Sequence, residues 1–242
     1  MTAPRRPSRF ATTRWTMVNA AARPADERAS AALTELCEIY WPPLYGYLRG
    51  RGYSAEQAQD LTQGFFVRVL ETQAIRAADP ARGRFRAFLL TALKRYVINE
   101  YERDTAARRG GRHVHFPLDF DEAERAYAAD RRDDETPDRL FDRKWAGIAL
   151  ERALQRLRDE CAASGKTEMA TALLPYLTDS TGLASYRAVA EDLGLTEGAV
   201  KIAVHRLRQR YGAILRAEVA ETVAGDQEVE AEMRELLRAL SA

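Results

Sequence analysis

The chain has 242 residues, with 37 Lys+Arg against 36 Asp+Glu for a formal net charge of +1, and 46% of it is hydrophobic. That length holds one large domain or two small ones with a buried core, and the balanced charge excludes a partner chosen by bulk charge alone. Two distant cysteines, Cys37 and Cys161, exclude a disulfide scaffold, and the lack of an apolar run of about 18 residues or a leader-like start predicts a cytoplasmic chain with no membrane partner.

In chain order, residues 1–25 form an N-terminal extension in which Thr12-Thr-Arg-Trp-Thr16 offers one aromatic anchor, Trp15. Apolar residues then recur at helical spacings of three and four: Leu33, Leu36, Cys37, Tyr40, Leu44 and Leu48, then Phe66, Val69 and Leu70, then Phe85, Phe88, Leu89, Leu93 and Val97. No strand-like alternation is sustained, so the first domain, 26–112, is predicted to be all-helical. Cys37 falls on an apolar stripe and reads as packing rather than as a nucleophile. From Arg82 to Arg112 nine basic residues face three acidic ones. Within that stretch Arg84, Arg86, Lys94 and Arg95 are interleaved with Tyr96 and Tyr101, which suits single-stranded nucleic acid: bases stack on rings while cations follow phosphates. An aromatic-rich helix is also an ordinary core helix, and only the second basic motif below tips the reading toward nucleic acid.

From Asp119 to Arg143 ten acids outnumber five arginines, and Asp130-Arg-Arg-Asp-Asp-Glu-Thr-Pro-Asp138 is poor in apolar residues. Residues 113–144 are therefore predicted to be a solvated acidic linker. His113-Val-His115 has no Cys or acidic partner at a ligand spacing and adjoins Arg108, Arg109 and Arg112, so neither a metal nor a cofactor is expected. The second helical domain, 145–216, carries the strongest local signal, Ser185 to Arg210. Val189, Leu193, Leu195, Val200 and Val204 would seal two crossing helices, Ala190 lets them approach, Gly194 suits the turn and Thr196 caps the second helix. This is a helix-turn-helix pattern that directs Thr196, Glu197, Lys201, His205, Arg206 and Arg208 toward a DNA major groove and its phosphates. The plainer alternative is a helical hairpin with a basic solvated face. Lys201 and Arg206 are the candidates for base-edge or phosphate contact, the two roles being left unsorted. Residues 217–242 are an acidic amphipathic extension, predicted to be a helix that either covers the basic reader helix or solubilises the chain.

Three segments stand in register: Asp60-Leu-Thr-Gln-Gly-Phe-Phe-Val-Arg-Val-Leu70, then Phe85-Arg-Ala-Phe-Leu-Leu90, then Val200-Lys-Ile-Ala-Val-His-Arg-Leu-Arg208. In this order and spacing the chain resembles bacterial extracytoplasmic-function sigma factors of the sigma-70 family, over Glu27 to Arg112 and Trp145 to Arg216. The resemblance implies sigma domain 2 and sigma domain 4 as two small helical domains, with no enzymatic activity. It implies core RNA polymerase (β′ clamp coiled coil and β flap) and promoter DNA as partners. By resemblance Asp60, Gln63, Phe66 and Arg68 lie on the polymerase-binding helix, and Lys94, Arg95 and Asn99 face the minus-ten element. Thr196 to Arg208 would read the minus-35 element.

The chain also departs from that family. Relatives usually carry several carboxylates around the Leu-x-Gln core, where this chain has Gln57, Gln59 and Gly64, leaving Asp60 as the surviving acid. Fewer interfacial charges weaken the encounter with a basic partner surface and slow it. Thr62 stands where relatives carry an apolar residue, and a phosphate there would add about −1.5 to −2 charges with three acceptor oxygens. The expectation is a chain activated when a Ser/Thr protein kinase phosphorylates Thr62, against the alternative that Thr62 is a tolerated, half-buried helix residue. Two competing functions are a stand-alone helix-turn-helix regulator and a helical adaptor whose basic faces are merely solvated.

Overall fold

The computed structural model describes residues 18–19, 21–22, 27–72, 74–79, 83–106, 119–130, 132, 135–178, 183–220, 222–223 and 226–241. The helices are α1 (Glu27–Gly50), α2 (Ala55–Thr72), α3 (Phe85–Ala106), α4 (Phe120–Asp130), α5 (Pro137–Ala163), α6 (Thr167–Leu173), α7 (Pro175–Thr178), α8 (Tyr186–Asp192), α9 (Glu197–Ala220) and α10 (Asp226–Ser241), with a 3-10 turn at Ala74–Ala77. Among the described residues no strand occurs, so the fold is all-α. The chain divides into two compact units, Ala11–Ile148 with Val219–Ala242, and Ala149–Glu218. Trp15 and the His113/His115 pair lie outside the described residues.

In the first unit α1 packs on α2, α3 and α4, and α2 also packs on α3. A capping box starts α2: Ser54 Oγ accepts from the Gln57 amide at 3.1 Å and the Gln57 side chain accepts from the Ser54 amide at 3.0 Å. Ala58, Thr62, Phe65, Phe66 and Val69 form its buried stripe. The Tyr40 ring meets Phe85 of α3 edge-on at 5.4 Å. Cys37 is buried in this core, and burial, with Glu38 adding, pushes its thiol up to about 12, so it is inert at neutral pH.

The predicted solvated linker is corrected by the structure. Phe120 and Tyr127, two helical turns apart, are both buried. Phe120 lies 4.9 Å from Trp41 and 5.6 Å from Tyr45 of α1. Glu124 accepts the Tyr45 hydroxyl at 2.5 Å and a two-pronged Arg49 guanidinium at 2.8 and 2.7 Å. The Arg49 hydrogen bond holds the Glu124 carboxyl below its ordinary range despite partial burial. Farther on, buried Arg143 pairs with Glu135 at 2.6 Å and with Asp130. Four of the acids in this stretch, Glu124, Asp130, Glu135 and Asp142, pair with arginines inside this unit.

In the second unit Val189, Ala190, Val200 and Val204 pack where the helix-turn-helix pattern expects them. Leu173, Tyr176, Val189, Ala190, Val200 and Val204 form one buried cluster. Ser185 caps α8, accepting from the Ala188 amide at 3.2 Å, and Thr196 accepts from the Ala199 amide at 3.2 Å. Between the two helices Gly194 takes φ +65°, a left-handed conformation that favours glycine. One expectation fails here: Leu195 is 42% exposed instead of sealing the helix pair. It sits in the turn, before the first residue of α9 whose side chain points inward, Val200.

Candidate nucleic-acid interface

Three surfaces carry the residues singled out by sequence. On α2, Asp60 and Arg68 are exposed with half-exposed Gly64 between them, one turn from each. Gln63 and Phe66 were expected on the same face but are buried, because the helical period puts them beside Thr62, Phe65 and Val69 on the core stripe. Thr62 is 0% exposed, and its hydroxyl donates to the Ala58 carbonyl at 2.6 Å.

Helix α3 separates its cations into two groups. Arg84 and Arg86, expected to contact DNA, are instead engaged by Glu232 of α10. Arg84 pairs with it at 2.5 Å and Arg86 at 2.8 Å, and Glu232 is 0% exposed. Arg86 also pairs with Asp142, and its guanidinium lies 4.7 Å from the Trp145 ring centre. Burial opposes the Arg86 charge, but the Glu232 hydrogen bonds and the neighbouring carboxylates outweigh it and raise the guanidinium above its ordinary value. The acidic C-terminal extension thus serves the first turn of α3, where the sequence suggested a cover for the reader helix. Lys94 is committed too, paired with Asp138 at 2.5 Å and lying 5.4 Å from the Tyr47 ring centre.

Farther along α3 several of the described residues face solvent. Arg95 and Asn99 are exposed on one face with Ile98, which is 58% exposed, and Tyr101 beside it is 73% exposed. Tyr96 turns inward, edge-on to Phe65 at 5.8 Å. Ile98 escaped the sequence reading, although it falls off the apolar stripe Leu89, Leu93 and Val97 and so had no core position to fill. A large aliphatic and a phenol beside a guanidinium and an amide can stack on bases and follow a phosphate backbone.

On α9, Thr196, Glu197, Lys201, His205, Arg206 and Arg208 are all exposed. They do not share one face. Lys201 pairs with Glu197 one turn earlier at 2.7 Å, and that hydrogen bond raises the ammonium and lowers the carboxyl from their ordinary values. Arg206 lies about 140° around the helix from Lys201. With Ile202 and Arg210 it lines a groove of about 540 Å³ that also meets Glu160, Cys161 and Met169. Arg210 pairs with Glu160 at 2.7 Å, and its hydrogen bond lowers the Glu160 carboxyl. Arg208 donates to the Tyr176 carbonyl at 2.9 Å and braces α9 against its own core.

No metal-binding cluster of His, Cys, Asp and Glu occurs among the described residues, and none of their helices is long and apolar enough to cross a membrane. No curated protein and no solved structure matches the chain. Residues 36–107, most of α1 and all of α2 and α3, match the family model described as Sigma-70 region 2. The first unit therefore contains a Sigma-70 region 2 domain, a module of sigma-70 factors, which are non-enzymatic transcription initiation factors.

Proposed function

We propose that the chain is a sigma factor of the extracytoplasmic-function type, acting in the cytoplasm, which binds core RNA polymerase and directs promoter-specific initiation. The observation that carries this reading is the Sigma-70 region 2 match over a helix whose exposed half groups Arg95, Ile98, Asn99 and Tyr101. In this reading the β′ clamp coiled coil meets the Asp60–Arg68 face of α2. Melted minus-ten DNA meets the open half of α3, the β flap meets the second unit, and Lys201 and His205 of α9 approach the minus-35 duplex. Each surface is small, so useful affinity comes from engaging them together.

Control by a Ser/Thr kinase at Thr62 is the finer part of the proposal. The hydroxyl is buried and bonded to Ala58, so a kinase reaches it only when α2 opens locally. A dianionic phosphate cannot return to an apolar site without a large desolvation cost. Phosphorylation would therefore hold residue 62 outward, adding acidity beside Asp60 where the chain lacks it.

The test is co-purification of core RNA polymerase with the full chain, unmodified and phosphorylated at Thr62, at near-physiological salt. The proposal expects retention of polymerase and stronger retention after phosphorylation. Equal retention in both states removes the kinase control alone. Tight duplex binding with no polymerase retained in either state favours the stand-alone regulator.

A further inference from the structure

Lys94 opens a stripe of α3 that Ile98 and Tyr101, both exposed, continue at helical spacings of four and three. The surface proposed above to hold melted DNA therefore begins at a cation. That cation already carries a carboxylate: Asp138, in the first turn of α5, pairs with the Lys94 ammonium at 2.5 Å, and all of these residues lie in the first unit. The place of Asp138 is fixed on two sides. Pro137 and Leu140 seat against the end of α1, where a β-carbon on Gly50 would lie 3.4 Å from the Pro137 Cα and 3.2 Å from a Leu140 methyl group. One turn farther along α5, Asp142 pairs with Arg86.

These two pairs differ in strength. The Arg86 side chain is 9% exposed and is shared with Glu232, whereas Lys94 and Asp138 keep 41% and 56% of their side chains in solvent. An exposed pair is weak and open to exchange, and a phosphate oxygen offers the ammonium the same charge-assisted bond as a carboxylate oxygen. The Tyr47 ring, 5.4 Å from the ammonium, supports it whichever anion it holds.

We infer that Asp138 occupies on Lys94 the position that a nucleic-acid phosphate takes, making the start of α5 a displaceable guard at the edge of the α3 surface. This rests on the reading of α3 as a nucleic-acid surface. A strand that touches Lys94 alone swaps one anion for another, whereas a strand that also engages Arg95 and Tyr101 gains contacts that the guard cannot match.

The test is a double-mutant cycle of Asp138→Asn and Lys94→Gln in the full chain, read by fluorescence anisotropy on a labelled oligo(dT) strand at low salt, with a thermal melt of each protein. The Thr136 hydroxyl still caps α5, accepting from the Arg139 amide at 3.3 Å, so each variant should stay folded. Asp138→Asn should bind the strand about two- to fivefold more tightly than wild type, and Asp138→Glu, which keeps the charge, should not. In the Lys94→Gln background Asp138→Asn should change little. A lost negative charge that acts only through the general field would tighten binding equally in both backgrounds; that result overturns the inference, as does Asp138→Asn binding like wild type. A merely structural role for Asp138 predicts a lower melting temperature with unchanged affinity. An Arg95→Ala, Tyr101→Ala double variant that binds oligo(dT) as wild type does overturns the α3 reading and the guard with it, as does absence of binding by every protein in the cycle.

Discussion

The basic residues that open α3 and those along α9 look alike in sequence, yet the fold treats them in opposite ways. Arg84 and Arg86 are consumed by Glu232, which lies 146 residues beyond Arg86 and is wholly buried. On α9 Lys201 pairs with Glu197, a residue one turn away, and the pair stays in solvent. A buried pair that also stacks on Trp145 is a structural joint, whereas an exposed i,i+4 pair is weak and exchanges readily for a phosphate. Local charge density thus does not tell which cations can reach nucleic acid; the acids that the fold brings to them do.

The largest effect that would break this comparison is at Glu232. Glu232→Ala strands two guanidinium groups, one of them buried, and should cost about 3–5 kcal/mol in chemical denaturation. A loss below about 1 kcal/mol would mean that the pair is not buried and that both arginines are available after all. Next in size is Tyr101→Ala, which removes a largely exposed ring. It should leave stability unchanged while weakening binding of the polymerase complex to a pre-melted promoter fork by about 1–3 kcal/mol. Arg84→Ala, by contrast, should act on stability more than on DNA affinity.

On α9, Lys201→Ala should weaken duplex binding uniformly across sequences and lower the salt slope by about one, read by fluorescence anisotropy across a salt series. Arg206→Ala, on the groove side, should change that slope less. The smallest effect concerns acid. Glu160 and Glu124 have carboxyl pKa values lowered in the folded state, chiefly by hydrogen bonds from Arg210 and Arg49. Their contribution is present above the unfolded carboxylate value, about 4.3, and is lost as pH falls through it toward the folded value. Arg210→Gln should flatten the acid limb of a denaturation series between pH 7 and pH 3 without moving its neutral plateau much.

Much of the fold was legible because its signals are local. The four-residue spacing of Tyr40, Leu44 and Leu48, the Thr196 cap and the Gly194 turn are all short-range features, and each appears in the structure. The linker reading failed because acid content outweighed two aromatics: Phe120 and Tyr127, seven residues apart, already marked one face of a short helix. The inward turn of Gln63 and Phe66 was equally readable from the period that buries Ala58, Thr62 and Val69. The Glu232 joint was not readable, since it joins residues with no spacing relation and depends on how helices cross.

The central claim, initiation at promoters, is tested most directly by run-off transcription with purified core RNA polymerase on promoter fragments, with and without the full chain phosphorylated at Thr62. The account predicts new, sequence-specific start sites that depend on the chain and are lost in an Arg95→Ala, Tyr101→Ala double variant. Transcripts identical to those of core polymerase alone, from a protein that is folded and phosphorylated, would contradict it.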